Sequence, residues 1–261
     1  MLKLPIRHGT AAAAACSLVL LAGPATAAEG LDPAADEILR SMSVFLAAQK
    51  AFSVSADIST EIITRDGQKL QFNAQSDLVM QRPGQFYAHR RGRFADLETF
   101  FDGRQLTLYG KTLGVYVQLD APDTLDGAID EIEAGGGPGL PASDLLLSDP
   151  YPALASGVTS SGYYGRGFVD GVECHHIAFR EADVDWQLWV KVGDQPLPMK
   201  YVITTKWITG APQFSVRLGD WNLKPAIKAG RFTFVPPADA VRVEVLPVDE
   251  TGEVAAARED K

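Results

Sequence analysis

A chain of 261 residues with 24 Lys and Arg against 33 Asp and Glu carries a net charge of −9. It has no basic stripe, which argues against nucleic acid and anionic membrane surfaces as partners, because both are held chiefly by Lys and Arg. Two cysteines, Cys16 and Cys174, are too few for a disulfide framework, so a hydrophobic core must carry the stability.

Lys3, Arg7 and His8 precede an apolar run from Ala11 to Ala22, followed by Gly23-Pro24 and Ala25-Thr26-Ala27. That is the order of a secretory signal, so residues 1–27 are expected to be a cleavable leader and Ala28 the mature N-terminus. The run falls short of the roughly 20 residues that span a bilayer, and no transmembrane span is expected. Apolar residues continue past Cys16 to Ala22, which argues against lipidation of that cysteine. Without Lys3 and Arg7, 24 − 2 = 22 basic residues face 33 acidic ones, a net charge of −11. Cys174 is then alone, and residues 28–246 are expected to form a single domain.

Asp32 before Pro33 makes a helix N-cap, and Ile38, Met42 and Phe45 recur at helical spacing, which predicts an amphipathic helix over 33–50. From 52 to 80 the period changes to two. Phe52, Val54, Ala56, Ile58, Thr60 and Ile62 lead out, and Leu70, Phe72, Ala74, Ser76, Leu78 and Met80 lead back, about an Asp66-Gly67 turn expected to be of type I′. A turn at 81–84 is followed by strands expected at 85–91, 96–101, 104–109 and 113–119, with a hairpin turn at Asp102-Gly103. Alternation stops over 121–158, where five prolines gather with Gly135-Gly136-Gly137; Leu125, Ile129 and Ile132 keep helical spacing, so this is expected to be a mobile, partly helical insert. Strands resume at 162–169, 172–180, 184–192, 199–208 and 212–221, with a turn at Asp170-Gly171, and a short strand is expected at Arg231 to Val235. The acidic, Ala-rich residues 247–261 are expected to be a disordered tail.

Three segments now carry a resemblance: Asp77-Leu78-Val79-Met80-Gln81-Arg82-Pro83-Gly84-Gln85-Phe86; Phe101-Asp102-Gly103 through Leu108-Tyr109; and Phe232-Thr233-Phe234-Val235-Pro236-Pro237. In this order behind an N-terminal helix, they resemble the lipoprotein-carrier (LolA/LolB-like) superfamily over roughly residues 36 to 240. The long insert is similar to a branch of that superfamily known as predicted periplasmic proteins of unknown function. The resemblance implies an α+β, mainly antiparallel β fold: an incomplete, strongly curved β-barrel whose N-terminal helix and helical lid insert lie across the open mouth.

Apolar strand faces are then the candidate ligand cavity: Phe52, Val54, Ile58, Leu70, Phe72, Leu78, Met80, Leu106, Leu108, Val115, Val117, Tyr201, Ile203 and Trp207. Any one of them could equally pack against the helix over 33–50, but one helix can hardly cover so many strands. The resemblance also implies a role for Arg82. In the carriers, the Arg of the Arg-Pro motif hydrogen-bonds the lid and latches the empty cavity, for which a fork of five donors is well suited. A solvated arginine at a turn is the other reading.

Catalytic chemistry has little to build on. In Glu173-Cys174-His175-His176, a strand would place at most two ligands on one face, fewer than a zinc site needs. Asp183 and Asp185 read as a solvated edge, and the tryptophans as core or cavity wall. No enzyme activity, metal or cofactor is expected. The chain reads as a soluble periplasmic protein that binds or carries a lipid or acyl chain. The alternative is a sensory or protein-interaction module of envelope-stress type with an envelope protein partner, since related folds occur in such regulators.

Overall fold

The structure, a computed structural model, describes residues 30–93, 96–134 and 142–246. The expected leader, the glycine run 135–137 and the acidic tail lie outside the described residues.

Asp32 opens the first helix, α1 (Pro33–Ala47), from an extended backbone, its Oδ1 accepting the amide of Ala34 at 2.8 Å. The same carboxylate accepts the amide of Tyr163 at 2.9 Å, while the Asp32 amide donates to Ser161 Oγ at 2.8 Å. One residue therefore both starts the helix and ties it to a distant strand. The helix stops three residues before position 50.

The long hairpin is β1 (Ala51–Ile63) and β2 (Lys69–Gln81), paired along its whole length. Its turn differs from the expected type I′. Only Gly67 has a positive φ (86°), and Thr64 N–H donates to Gln68 O at 2.9 Å across three loop residues, the geometry of a type I turn followed by a glycine bulge. Thr64 explains the longer loop, because its Oγ1 accepts the Gln68 amide at 3.0 Å and donates to Asp66. At Asp170-Gly171 both residues have positive φ (48° and 81°) between paired Val169 and Val172, which is the two-residue type I′ turn.

The chain continues through β3 (Gln85–Arg91), β4 (Asp96–Phe101), β5 (Gln105–Gly110) and β6 (Val115–Asp120), then α2 (Leu125–Ala134), a 3-10 turn (Ser143–Leu146) and α3 (Pro150–Ala155). After these come β7 (Ser160–Val169), β8 (Val172–Arg180), β9 (Val184–Lys191), β10 (Pro198–Thr205), β11 (Gln213–Asn222) and β12 (Val241–Arg242). All twelve strands form one sheet in the order β12-β6-β5-β4-β3-β2-β1-β11-β10-β9-β8-β7. Its ladders are antiparallel except that of β12 on β6. The first strand lies mid-sheet and joins the two halves through β11. The sheet is curved and unclosed. Irregular pairing between Ser53 and Ser55, Tyr163 and Arg166, and Pro198 and Lys200 contributes to the curvature, because bulged strands bend.

Two apolar cores form. One joins α1 to β7–β11 through Leu39, Met42, Ile177, Leu188 and Tyr201, with Leu145 and Leu154 of the insert. The other joins α2 to β1–β6 through Phe52, Met80, Phe101, Leu106 and Leu125, with Leu246 closing it from the C-terminal segment. Leu218, Trp221 and Leu223 pack against both.

Arg231 to Val235 is not a strand. The β6 edge it would need is occupied by β12, and the segment is held by rings instead: Phe234 lies 5.1–5.4 Å from Phe100, Tyr109 and Tyr116. Strand β10 ends at Thr205 rather than 208, because Gly210 and Ala211 turn the chain with positive φ (94° and 44°).

Candidate functional site

Register builds the candidate face row by row, since residues directly opposite in a ladder share a face. One row runs Phe52, Met80, Phe86, Phe101, Leu106 and Leu119 across β1–β6; the next runs Val54, Leu78, Ala88, Thr99, Leu108 and Val117. Thr99 is the single hydroxyl in these two rows. Helix α2 belongs to the same core through Leu125, Ala128 and Ile132.

Of the residues expected to line a cavity, Phe52, Met80 and Leu106 are fully buried here, Val54, Leu108 and Val117 nearly so, and Leu78 and Val115 partly. Tyr201 is buried in the α1 core, with Ile58 and Ile203 packed against it. Burial pushes the Tyr201 phenol up, with the carboxylates of Asp144 and Glu181 acting in the same direction. Leu70 and Phe72 lie near the far end of the hairpin and are half-buried, with the Arg93 guanidinium 5.6 Å from the Phe72 ring. Trp207 stands outside its expected strand and is 72% exposed. The structure thus distributes the expected cavity residues over two cores, the hairpin end and a surface turn.

Arg82 lies between the cis peptide to Pro83 and the end of β2, its amide donating to Lys50 O at 2.8 Å. Its Nη2 donates to Leu147 O at 2.9 Å, just past the 3-10 turn of the insert. Burial pushes the guanidinium down from its ordinary value, and Asp126 opposes that shift. Asp126, in the first turn of α2, accepts from the Ser148 amide at 2.8 Å and from its hydroxyl at 2.5 Å. A third tie is Leu125 N–H to Pro83 O at 3.0 Å. Gly84 permits this close approach, since a Cβ there would lie 2.2 Å from Asp123 O. Asp126 and Ser148 were not singled out by sequence; the only hint was an acidic residue at a helix start.

The Cys174 thiol is buried, donates to Val172 O at 3.4 Å and is pushed up by burial, the opposite of an activated nucleophile. His176 stacks on Trp189 at 4.1 Å and bonds Gln187, while His175 bonds the Tyr163 hydroxyl at 3.2 Å. Among the described residues, no three His, Cys, Asp or Glu side chains gather as metal ligands, and no helix is long and apolar enough to cross a membrane.

A separate open groove of about 710 Å³ lies beside the last turn of α1, between the β9–β10 connection and the end of β11. Its lining includes Phe45, Leu197, Met199, Trp221 and Leu223 with Lys191 and Lys224. Of these, Met199 was legible as part of an alternating strand and Trp221 as a possible wall.

Among solved structures, the chain is similar to an uncharacterized conserved protein from Thermus thermophilus, at 9% identity and a TM-score of 0.49 over 80% of this chain and 99% of that one. It is also similar to LprF from Mycobacterium bovis, at 16% identity and a TM-score of 0.44 over 80% and 98% of the two chains. A LolA superfamily protein from Nitrosomonas europaea matches at 11% identity and a TM-score of 0.38 over 77% and 97%. No curated protein matches the sequence. The profile of the family described as "Predicted periplasmic protein (DUF2092)" matches residues 35–246, from the first turn of α1 to the core residue Leu246, and the chain belongs to that family.

Proposed function

We propose that this chain is a periplasmic binding protein for a lipid or acyl chain, which it holds on the apolar face beneath α2 without bond chemistry. The observation that carries this reading is the contrast between α2's contact with the sheet, which is apolar, and its polar ties, which sit at one end around Arg82 and Asp126. Burying a Leu or Ile side chain stabilises by about 1.5–3 kcal/mol, so Leu125 and Ile132, with a smaller share from Ala128, hold the helix by roughly 4–7 kcal/mol. Ten methylenes of an acyl chain at about 0.8 kcal/mol each would supply a similar amount. Exchange of the helix for a chain is therefore nearly balanced, and the polar ties decide the resting state. In this reading the insert over 121–158 is the lid of a single domain spanning 28–246, Arg82 is its latch, and Phe52, Met80, Leu106 and Leu108 line the opened site. Residues 1–27 act as a cleaved leader, and Cys16 is not lipidated.

A second reading, an envelope sensory or protein-interaction module, is favoured by the edge strand β7, which is tied to Gly30 and Asp32 at its start and whose Tyr164 and Phe168 beyond these ties are 63% and 74% exposed. Native mass spectrometry of the mature protein, purified from periplasm without detergent and followed by analysis of its organic extract, separates the two. Near-stoichiometric lipid is expected. An apo mass with no uptake of added acyl lipids, beside a co-purifying envelope protein, overturns the first reading in favour of the second.

A further inference from the structure

The groove beside α1 has a chemistry of its own. Its volume, about 710 Å³, lies within the roughly 300–1,000 Å³ range of small-molecule sites. The floor is apolar, with Leu197 and Met199 buried and the Trp221 ring 5.2 Å from Phe52. Because Trp221 and Leu223 pack against both cores, this floor is continuous with the face beneath α2. The only polar atom of the Trp221 side chain already donates to Pro198 O at 3.2 Å, which leaves its ring for alkyl contact.

The rim is basic in a chain that is acidic overall. Lys191 and Lys224 face Asp220 as the one acidic lining residue, and neither lysine has an ion-pair partner among the described residues. Of the other basic residues on or next to β7–β11, Arg166, Arg180, Lys206 and Arg217 pair with carboxylates, and Lys200 lies over the Trp189 ring at 4.8 Å. In the last turn of α1 beside the groove, Phe45 O accepts Gln49 Nε2 at 2.8 Å. Lys224 is positioned by its own amide, which donates to Asn222 Oδ1 at 2.9 Å.

We propose that this groove is the head-group site for an anionic amphiphile, with a carboxylate or phosphate between Lys191 and Lys224 and the aliphatic chain passing over Met199 and Trp221 toward Phe52. The proposal rests on the lipid-binding reading above and adds to it the sign of the ligand's charge and the side from which the chain enters. A fatty acid and a phospholipid share this chemistry.

The test uses the mature protein with cis-parinaric acid and its neutral methyl ester as fluorescent probes, at neutral pH and two salt concentrations. Wild type should prefer the acid, with a preference that falls as salt rises. The K191Q/K224Q variant should lose about 5- to 30-fold in affinity for the acid and bind the ester as before, with an unchanged circular dichroism spectrum. Equal affinity of wild type for acid and ester, or unchanged acid binding by the variant, overturns the head-group site while leaving ligand binding intact. Loss of both probes by a folded variant also overturns it, since the lysines would then shape the groove rather than read charge. Failure of wild type to bind either probe overturns this proposal and the lipid-binding reading together. Displacement of the acid by palmitate alone identifies a fatty-acid site, and displacement by lysophosphatidylglycerol a phospholipid site; both uphold the proposal.

Discussion

Replacing Arg82 with alanine removes the bond from Nη2 to Leu147 O and the electrostatic attraction to Asp126 of the insert. A hydrogen bond from a charged donor contributes about 1.5–3 kcal/mol. Part of that is offset, because Arg82 Nε is buried without a partner and its removal relieves about 1 kcal/mol of desolvation. The closed lid should therefore lose about 1–2 kcal/mol, which raises the opening equilibrium roughly 5- to 30-fold. Native-state hydrogen exchange reads this directly, since amides of α2 exchange through local opening while those of α1 and β7–β11 report the other core. Arg82→Lys should fall between wild type and Arg82→Ala, because an ammonium lacks the fork that spans to the insert. Unchanged exchange of α2 refutes the latch. So does an equal loss of protection in α1, which would mark Arg82 as a contributor to global stability only.

Two further predictions test how the site is held. Gly84→Ala should destabilise by about 1–3 kcal/mol, because its Cβ would meet backbone atoms of Asp123 at 2.2 and 2.9 Å and no side chain can move aside; an unchanged Tm in calorimetry refutes the close approach. Asp32→Ala should cost about 1 kcal/mol as a lost helix cap. The Asp32 carboxyl is held below the ordinary aspartate value, first by the Tyr163 amide and then by those of Ala34 and Ala35. Its contribution is thus complete above about pH 4 and lost as pH falls through the lower folded value. Asp32→Asn should flatten the acid limb of Tm against pH, and an acid limb as steep as in wild type contradicts this account.

Local pattern made much of the fold legible. Alternation placed both arms of the long hairpin and the strands over 85–91, 96–101 and 172–180 at or next to their observed bounds, because a two-residue period is a property of the strand itself. Asp32-Pro33 announced α1 for a similarly local reason. The turn of the long hairpin was less transparent: the Asp66-Gly67 pair is compatible with more than one loop length, and Thr64 selected the longer one. Likewise, Phe-x-Phe at 232–234 alternates as a strand does, yet it packs by its rings on β4–β6 while β12 occupies the β6 edge.

The candidate site depended on distance along the chain. Sequence by itself determined that there would be a broad apolar face, an arginine before Pro83 and helical spacing of Leu125, Ile129 and Ile132 within the insert. Only the tertiary structure decided that Arg82 would meet Leu147, 65 residues on, that the expected cavity residues would divide between two cores, and that Trp207 would stand in solvent. It also brought Lys191 and Lys224 to one rim. Periodicity records which face of its own element a side chain occupies, whereas a site is made where faces of separate elements converge, and that convergence is set by sheet order and curvature rather than by any local run of residues.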